Sequence, residues 1–219
     1  MDHALDAAIL PPGVVYIGDF LSHGEEEAIK DRLDAGEWSN TLKRRVQHFG
    51  YLYDYRARAV TADAYLGKLP EWLETLAERL VTCGHFVDLP DQVIANEYFP
   101  GQGISAHVDC VPCFDDTIVS ISLLSQCEMI FRERSSSKSL AVLLHPRSGI
   151  LLKGAGRYDW THEIPARKTD VVDGAKVGRG RRLSLTFRKV TQATGNPSVG
   201  RRRDRYVSGE RQRLAWPDE

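Results

Sequence analysis

His107 and Asp109 stand two residues apart in the run His107-Val108-Asp109. In a β-strand, residues two apart point to the same side, so this imidazole and this carboxylate could bind one metal ion. His162, at the end of the run 158–162, offers a third ligand. Two histidines and one carboxylate form the donor set that holds non-haem Fe(II) and leaves coordination positions open. A His-x-Asp pair alone is a weak signal, because such pairs also arise by chance.

Polar and apolar residues alternate strictly between residues 182 and 188. The polar set, which would share one face of a strand, is Arg182, Ser184, Thr186 and Arg188. A solvated polar face is the simpler interpretation. Inside a barrel, two buried guanidiniums would need anionic partners, and a dicarboxylate would meet both because Arg binds carboxylates through parallel hydrogen bonds. Asn96 and Tyr98, again two apart, could add hydrogen bonds from an adjacent strand.

Two helices are predicted before these motifs. Ser22 and Glu25 form a capping-box pattern, which predicts a helix running to Leu33. A second helix is predicted from near Pro70, which needs no N–H in a first turn, to Gly84, a residue typical of the position after a helix end. Its apolar residues recur at helical spacing and are Leu73, Leu76, Ala77 and Leu80.

Short β-branched or apolar runs follow Gly84, and turn-forming residues separate most of them. The predicted strands are 93–98, 118–123, 129–131, 140–144, 149–152 and 183–187. Several short strands after two helices predict an α+β fold, or a β-barrel or jelly roll flanked by N-terminal helices. Residues 191–219 lose this periodicity and are rich in arginine, so we predict a mobile basic tail there.

The composition is that of a globular chain, with 42% apolar and 27% charged residues. Because 29 basic and 30 acidic residues nearly cancel, a globally basic nucleic-acid-binding protein is not indicated. No apolar run reaches the roughly 20 residues of a membrane-spanning helix, and the N-terminus lacks a signal-peptide pattern. We expect no membrane association, a cytoplasmic location (nuclear is also open for a eukaryotic source) and reduced thiols in all four cysteines.

The motifs together resemble the AlkB family of Fe(II)/2-oxoglutarate dioxygenases. In chain order they are Asn96-x-Tyr98-x-Pro100-Gly101, His107-x-Asp109, Gly156-Arg157-Tyr158-x-Trp160-x-His162 and Arg182-x-Ser184-x-Thr186-x-Arg188. Four ordered motifs are far more specific than His-x-Asp alone. The resemblance implies a double-stranded β-helix, or jelly roll, within residues 1–190, with the basic tail 191–219 outside it.

The resemblance also implies the role of each residue. The implied Fe(II) ligands are His107, Asp109 and His162. Arg182 is implied as the partner of the distal carboxylate of 2-oxoglutarate, and Arg188 lies near the carboxylate beside the keto group. Asn96 and Tyr98 are implied as further cofactor contacts. Ser184 stands where the family often has Asn, so a contact there would be weaker or water-mediated. The implied reaction couples O₂ and 2-oxoglutarate decarboxylation to hydroxylation of a C–H bond.

Basic and aromatic residues are mixed in the segment 42–55. The functional interpretation is a lid, in which cations contact phosphate and rings stack on a base taken out of its stack. The predicted lid residues are Arg44, Arg45, His48, Phe49, Tyr51 and Tyr53. The alternative is a β-hairpin whose aromatics cover the barrel, above all Tyr55. The segment is similar to the lids of AlkB homologues that hydroxylate modified wobble uridines in tRNA, and also to bacterial repair-type homologues.

Three functions remain open at this point. The favoured one is oxidation of alkylated bases in DNA or RNA by a monomeric enzyme, because the lid is basic and aromatic. Hydroxylation of modified tRNA bases, or oxidation of a protein side chain, is the alternative. From the length we expect no methyltransferase or RNA-recognition domain, and this expectation favours the repair-type function. A non-enzymatic binding module is disfavoured, because the triad and both arginines are intact.

Cys110 and Cys113 form a Cys-x-x-Cys motif directly after the metal motif. A structural zinc site is not expected, because there is no second such pair. A redox pair is open, but we expect two loop thiols near the mouth of the site.

Overall fold

The computed structural model of the chain describes residues 10–191. Its helices are α1 (His23–Ala35), α2 (Glu71–Thr82) and α3 (Ala155–Tyr158), with a 3₁₀ turn at Ala62–Ala64. The strands are β1 (Val14–Ile17), β2 (Arg45–Phe49), β3 (Gln92–Tyr98), β4 (Ile104–His107), β5 (Phe114–Leu123), β6 (Cys127–Glu133), β7 (Ser139–Leu144), β8 (Gly149–Leu152), β9 (Trp160–Ile164), β10 (Thr169–Val172), β11 (Ala175–Gly178) and β12 (Arg182–Val190). Within this part of the chain, no helix has both the length and the apolar character needed to cross a membrane.

Two antiparallel sheets face each other across an apolar core. The larger sheet has six strands in the order β1-β8-β5-β12-β3-β2, and the smaller has four in the order β4-β9-β6-β7. The hairpin β10-β11 forms a separate two-stranded sheet. Both large sheets contribute to the core between them, with Ile118 and Ile150 from one and Phe131 and Trp160 from the other. This arrangement confirms the predicted jelly roll.

Strand β12 pairs with β3 on one side and with β5 on the other, so it lies in the interior of the larger sheet. On its outer face, Leu183, Leu185 and Phe187 are fully buried and pack in one core with residues of α1 and α2 such as Leu33 and Leu73. Its inner face carries the four polar residues of the alternating motif. The alternation read from the sequence is therefore confirmed, with the polar face inside the barrel.

The two helices cover the outer face of the larger sheet and begin where predicted, and α1 ends at Ala35, two residues after the predicted Leu33. The Ser22 hydroxyl accepts from the backbone N–H of Glu25, and the Glu25 carboxylate accepts from the backbone N–H of Ser22 at 2.8 Å. The same carboxylate pairs with Arg79 of α2, which ties the two helices together. Gly84 follows α2 with φ +75°, a conformation that side chains other than glycine rarely adopt.

All six predicted strands are present, and most are longer than predicted. Strand β1 and the hairpin β10-β11 had not been predicted. Strands β4 and β9 were expected only as carriers of the metal ligands, and β2 lies within the segment 42–55, for which a β-hairpin was the alternative. These are short segments of four or five residues, and their pairing with neighbouring strands, rather than their own composition, makes them strands.

Thr191, the first residue of the predicted tail, is packed on the domain. Its backbone N–H donates to the Cys113 carbonyl at 3.0 Å, and its hydroxyl donates to the Pro112 carbonyl at 2.7 Å. Thr191 is therefore part of the described fold, although it was predicted to belong to the tail. The rest of the predicted tail, residues 192–219, lies outside the described residues.

Candidate active site

A cavity of about 520 Å³ lies between the two sheets. Strands β3 and β12 form much of one wall, β4 and β9 contribute to the opposite wall, and residues 42–58 contribute to the rim. Small-molecule sites in proteins typically measure about 300–1,000 Å³. The predicted site residues that line the cavity are Arg44, Tyr53, Asn96, Tyr98, His107, Asp109, His162, Arg182, Ser184 and Arg188.

The three predicted metal ligands converge in this cavity. His107 ends β4 and lies opposite His162 of β9 in the antiparallel register, with ring centroids 4.3 Å apart. Asp109 lies beyond the end of β4, so the premise that it shares a strand with His107 is wrong. The loop nevertheless places Asp109 Oδ1 3.5 Å from His107 Nε2. One donor atom from each residue lies within 4.8 Å of the others, which a single metal ion can bridge.

The surroundings hold these side chains in forms that bind metal. His107 Nδ1 lies 2.7 Å from the Ser105 carbonyl, and a proton on Nδ1 leaves Nε2 free as a ligand. Burial, and then His107, lowers the pKa of His162 to about 3, so its ring is neutral. Burial opposes ionisation of Asp109, but the charge of the adjacent Arg188 guanidinium is the largest opposing influence, and the pKa of Asp109 is held well below its ordinary value. A neutral imidazole and an ionised carboxylate are the forms that ligate metals.

Arg188 binds the carboxylate of Asp109 through two nitrogens. Its Nε lies 3.3 Å from Asp109 Oδ2, and its Nη2 lies 3.5 Å from Oδ1. The third nitrogen, Nη1, donates to the side-chain carbonyl of Gln92 at 3.3 Å, and the guanidinium lies 4.9 Å from the centre of the Phe114 ring. Arg188 therefore orients the acidic member of the triad. Its role beside the keto group of 2-oxoglutarate stays a prediction.

Arg182, at the other end of the polar face of β12, has hydrogen-bonding capacity to spare. It is 3% exposed, and its Nη2 donates to the Ser122 hydroxyl at 2.8 Å. Its Nε and Nη1 are buried and have no partner among the described residues. Buried donors left unpaired cost about 1–3 kcal/mol of stability each, and more when they are charged. A bound anion that accepts hydrogen bonds from this guanidinium would remove that cost. The Tyr98 ring lies 5.4 Å from the guanidinium and forms one side of its pocket.

Asn96 and Ser184 lie opposite each other on β3 and β12, between the two arginines. The side-chain carbonyl of Asn96 accepts from Arg44 Nε at 2.9 Å. Both residues are buried in the cavity wall, so their predicted role as cofactor contacts is compatible with their position.

Part of the predicted lid faces away from the cavity, and here the prediction is wrong. Residues 45–49 form β2, which pairs with β3, so alternate side chains point to opposite faces. Arg45 pairs with the buried Glu97 and lies over the Trp38 ring. Phe49 packs edge-on against Trp72 of α2, with centroids 5.8 Å apart. These two side chains belong to the helix-covered face of the sheet.

The other predicted lid residues divide between cavity and packing. Arg44 and Tyr53 line the cavity. Tyr51 packs against Tyr65 at 5.0 Å and lies outside the cavity lining, so its predicted substrate contact is not supported. His48 is partly buried beside Tyr55, with ring centroids 5.8 Å apart, and burial followed by Arg188 lowers its pKa to about 4. His48 is therefore neutral and is not a phosphate-binding cation near neutral pH.

Comparison with known proteins agrees with this geometry. The sequence profile of the 2OG-Fe(II) oxygenase superfamily matches residues 37–188, which include the whole triad and both arginines. A zebrafish (Danio rerio) protein named probable RNA/DNA demethylase ALKBH6 is 31% identical over 82% of this chain and 86% of its own length. The chain belongs to the AlkB family of 2OG-Fe(II) oxygenases. The fold agrees with that of the solved structure of OsALKBH1, with a TM-score of 0.63, 21% identity, and coverage of 82% of this chain and 98% of that one.

Other relatives of this oxygenase are longer proteins. The Arabidopsis thaliana alkylated DNA repair protein ALKBH8 homolog is 37% identical over 85% of this chain. The Macaca fascicularis tRNA (carboxymethyluridine(34)-5-O)-methyltransferase ALKBH8 is 37% identical over 86% of it. The chain spans 60% of the Arabidopsis protein and 32% of the macaque one.

This oxygenase is a dioxygenase that uses Fe(II), 2-oxoglutarate and O₂, as its superfamily does. The residues present fit both bound groups. The triad supplies two nitrogen donors and one oxygen donor within bridging distance. The unpaired Nε and Nη1 of Arg182 supply the N–H groups that a carboxylate of 2-oxoglutarate requires.

The sequence did not predict a role at the site for four residues that the structure places there: Lys43, Tyr55, Arg58 and Arg157. Lys43, Tyr55 and Arg58 line the rim, and the first two fall within the basic, aromatic segment that drew attention to the lid. Tyr55 was expected mainly to cover the barrel, but it also lines the cavity. Arg157 acts through backbone carbonyls near the triad, and no side-chain pattern in the sequence signals such a role.

The expectation of reduced thiols is wrong for Cys110 and Cys113, which form a disulfide. The turn that follows Asp109 brings their Cα atoms to 5.3 Å, within the range that a disulfide requires. The predicted place near the site is right for Cys110, which lines the cavity, whereas Cys113 is not among the lining residues. Cys83 and Cys127 are free, as expected.

Proposed function

We propose that this oxygenase oxidises alkylated bases in nucleic acid. The observation that carries the proposal is the charge of the cavity, whose lining contains five basic residues: Lys43, Arg44, Arg58, Arg182 and Arg188. Among the described residues that line it, the only acidic one is Asp109, and Arg188 already pairs with it. The dianion 2-oxoglutarate accounts for Arg182, but the rim cations Lys43, Arg44 and Arg58 have no carboxylate partner among the described residues. A polyanionic substrate supplies anionic partners for them.

The rim also carries the aromatic surface that a base requires. The rings of Tyr53 and Tyr55 meet edge to face at 5.1 Å, and the Arg44 guanidinium lies 5.7 Å from the centre of the Tyr55 ring. Stacking of a base on such a ring is worth about 1–3 kcal/mol and tolerates any sequence. A base drawn into the cavity would leave its flanking phosphates near the exposed Lys43 and Arg58.

The side chains divide the work of the reaction between them. The triad would hold the iron, Arg188 orients Asp109, and Arg182 would bind the far end of 2-oxoglutarate. When bound, iron and 2-oxoglutarate supply the oxidising chemistry that hydroxylates a C–H bond. The apolar walls around Met129, Ile150 and Leu152 exclude water from the reacting carbon.

A substrate panel tests this proposal directly. Purified enzyme with Fe(II), ascorbate and 2-oxoglutarate is incubated with methylated DNA, methylated RNA or total tRNA, and nucleosides are compared by mass spectrometry. We expect base oxidation that Asp109→Ala abolishes, because the variant lacks the anionic iron ligand. Succinate formation with no change in any nucleoside would exclude a nucleic-acid substrate and favour oxidation of a protein side chain.

The rim cations are tested by paired variants in one segment. Lys43→Gln and Arg58→Gln should each lower the slope of log K against log salt for oligonucleotide binding by about one unit or less, because each removes one phosphate contact. Arg56→Gln is the control, since Arg56 is exposed in the same segment but does not line the cavity. Equal effects at positions 56 and 58 would refute a directed phosphate contact.

Hydroxylation of a modified tRNA base is the second candidate. The observation that favours it is the 36–37% identity to vertebrate proteins named as tRNA (carboxymethyluridine(34)-5-O)-methyltransferases. A change confined to the tRNA arm of the panel would support it over repair of DNA. That the enzyme works as a monomer in the cytoplasm stays a prediction.

A further inference from the structure

Arg157 lies outside the cavity lining but contacts the loop that carries the acidic iron ligand. It belongs to the short helix α3 and is 2% exposed. Its Nη1 donates to the backbone carbonyl of Asp109 at 3.0 Å, and its Nη2 donates to that of Cys110 at 3.3 Å. One buried guanidinium thus holds two successive carbonyls beside the metal site.

The loop needs such a partner because it has left the sheet. Strand β4 ends at His107 and β5 begins at Phe114, so residues 108–113 make no strand pairing. The Cys110 carbonyl also accepts from the backbone N–H groups of Cys113 and Phe114, both at 3.3 Å. Among the described residues, the hydrogen-bond donor to the Asp109 carbonyl is Arg157. The backbone at the ligand itself is therefore fixed from α3.

Helix α3 packs closely against neighbouring strands, so it can hold the Arg157 side chain in a fixed position. A Cβ on Gly156 would lie 2.6 Å from Val14 Cγ2, which shows how closely α3 approaches β1. The backbone N–H of Gly154 donates to Asp116 of β5 at 3.0 Å. Strand β9 follows α3 almost directly and carries His162. Arg157 therefore links the segment of one iron ligand to the segment of another.

The geometry points to Arg157 as a positioning residue that sets Asp109 against His162 and thereby sets the affinity of the triad for its metal. It touches neither the metal nor the substrate. The inference rests on the metal site of the family and not on the nature of the substrate, so its test is independent of the nucleic-acid proposal.

The test is metal binding by the full-length apoprotein, measured without turnover. Co(II) is titrated as a spectroscopic probe into the parent, Arg157→Met and Arg157→Lys, with thermal unfolding followed in parallel. Loss of a contact that orients a ligand typically costs about 10- to 100-fold in metal affinity, and we expect Arg157→Met to fall in that range. The visible Co(II) bands should also shift, because Asp109 moves. Arg157→Lys keeps the charge but cannot donate to both carbonyls, so its Co(II) affinity should lie between that of the parent and that of Arg157→Met.

Arg134→Met is the matched control. Arg134 Nη1 donates to the carbonyl of Tyr158, in the same helix, at 3.0 Å, but it is exposed and does not reach the Asp109 loop. Its Co(II) affinity and spectrum should equal those of the parent. A folded Arg157→Met protein with parental affinity and spectrum would overturn the inference. If that variant does not fold, Arg157→Lys is read in its place, and parental affinity there overturns it equally.

Discussion

The two faces of strand β12 are built from alternate residues and meet opposite requirements. On the helix-covered face, Leu183, Leu185 and Phe187 are 0% exposed and packed on all sides. On the cavity face, Arg182, which directly precedes Leu183, has two buried nitrogens, Nε and Nη1, without a partner among the described residues. The first face contributes stability and needs no ligand. The second costs stability and is completed only by a bound anion.

Because its alternate residues lie in different environments, the contributions of β12 to stability and to ligand binding can be assigned residue by residue. Neighbours in sequence belong to different environments because the strand period is two. A substitution on one face should therefore change unfolding, and a substitution on the other should change ligand binding. The following predictions test how completely the two are separated.

Phe187→Ala should produce the largest loss of stability. Removing a fully buried ring from the core between the sheet and the helices costs about 3–5 kcal/mol. Urea unfolding measures this loss, and calorimetry on the protein that remains folded should give parental affinity for 2-oxoglutarate. Weakened cofactor binding in the folded fraction would show that the two faces are coupled.

Arg182→Met should weaken 2-oxoglutarate binding without loss of stability. Losing hydrogen bonds from a charged donor to a carboxylate costs about 1.5–3 kcal/mol, or roughly a 10- to 150-fold weaker Kd for 2-oxoglutarate. The unfolding free energy of the cofactor-free protein should stay equal or rise, because an unsatisfied buried charge is removed. Isothermal titration calorimetry and urea unfolding are read together. A large loss of stability with unchanged Kd would assign Arg182 to the core.

Arg44, which directly precedes β2, and Arg45, the first residue of β2, offer the same comparison at the edge of the sheet. Arg44→Gln, at the cavity, should lower the salt slope of oligonucleotide binding by about one unit or less. Arg45→Gln should leave that slope unchanged and lower stability by about 1–3 kcal/mol, because Arg181 is then the one ion-pair partner that the buried Glu97 keeps within residues 10–191. Filter binding at several salt concentrations and urea unfolding separate the two. A lower slope for Arg45→Gln would return it to the substrate site.

The smallest effect is expected at the cap of α1, far from the cavity. A hydrogen bond from Arg79, followed by one from the Ser22 backbone, lowers the pKa of Glu25 to about 2 from an ordinary 4.5. Its contribution to stability is therefore present above pH 4.5 and is lost as the pH falls through about 2. Glu25→Gln should cost about 1 kcal/mol or less near neutral pH, because the carboxylate is partly exposed. The difference from the parent should shrink in urea titrations at about pH 3. A difference independent of pH would mean that the carboxylate charge does not stabilise the cap.

Local patterns were readable from the sequence, and long-range register was not. The Ser22–Glu25 cap and the alternation along β12 were predicted because each depends only on neighbours in the chain. The lid residues Arg45 and Phe49 were misassigned because their orientation follows from the pairing of β2 with β3, some fifty residues away in sequence. The sequence motif at 156–162 includes Arg157 but did not predict its contact with the Asp109 loop, because a guanidinium that binds backbone carbonyls requires no particular residue type as its partner.

The order of the larger sheet has a consequence for synthesis of the chain. Strand β12 is the last of the six to be made, yet it lies between β5 and β3. Until it leaves the ribosome, the pieces β1-β8-β5 and β3-β2 share no hydrogen bonds, and each presents an open edge. Such non-local pairing is slow to form. We expect a nascent chain that stops before residue 182 to aggregate through these edges, and the full chain to fold at a rate set by insertion of this final strand.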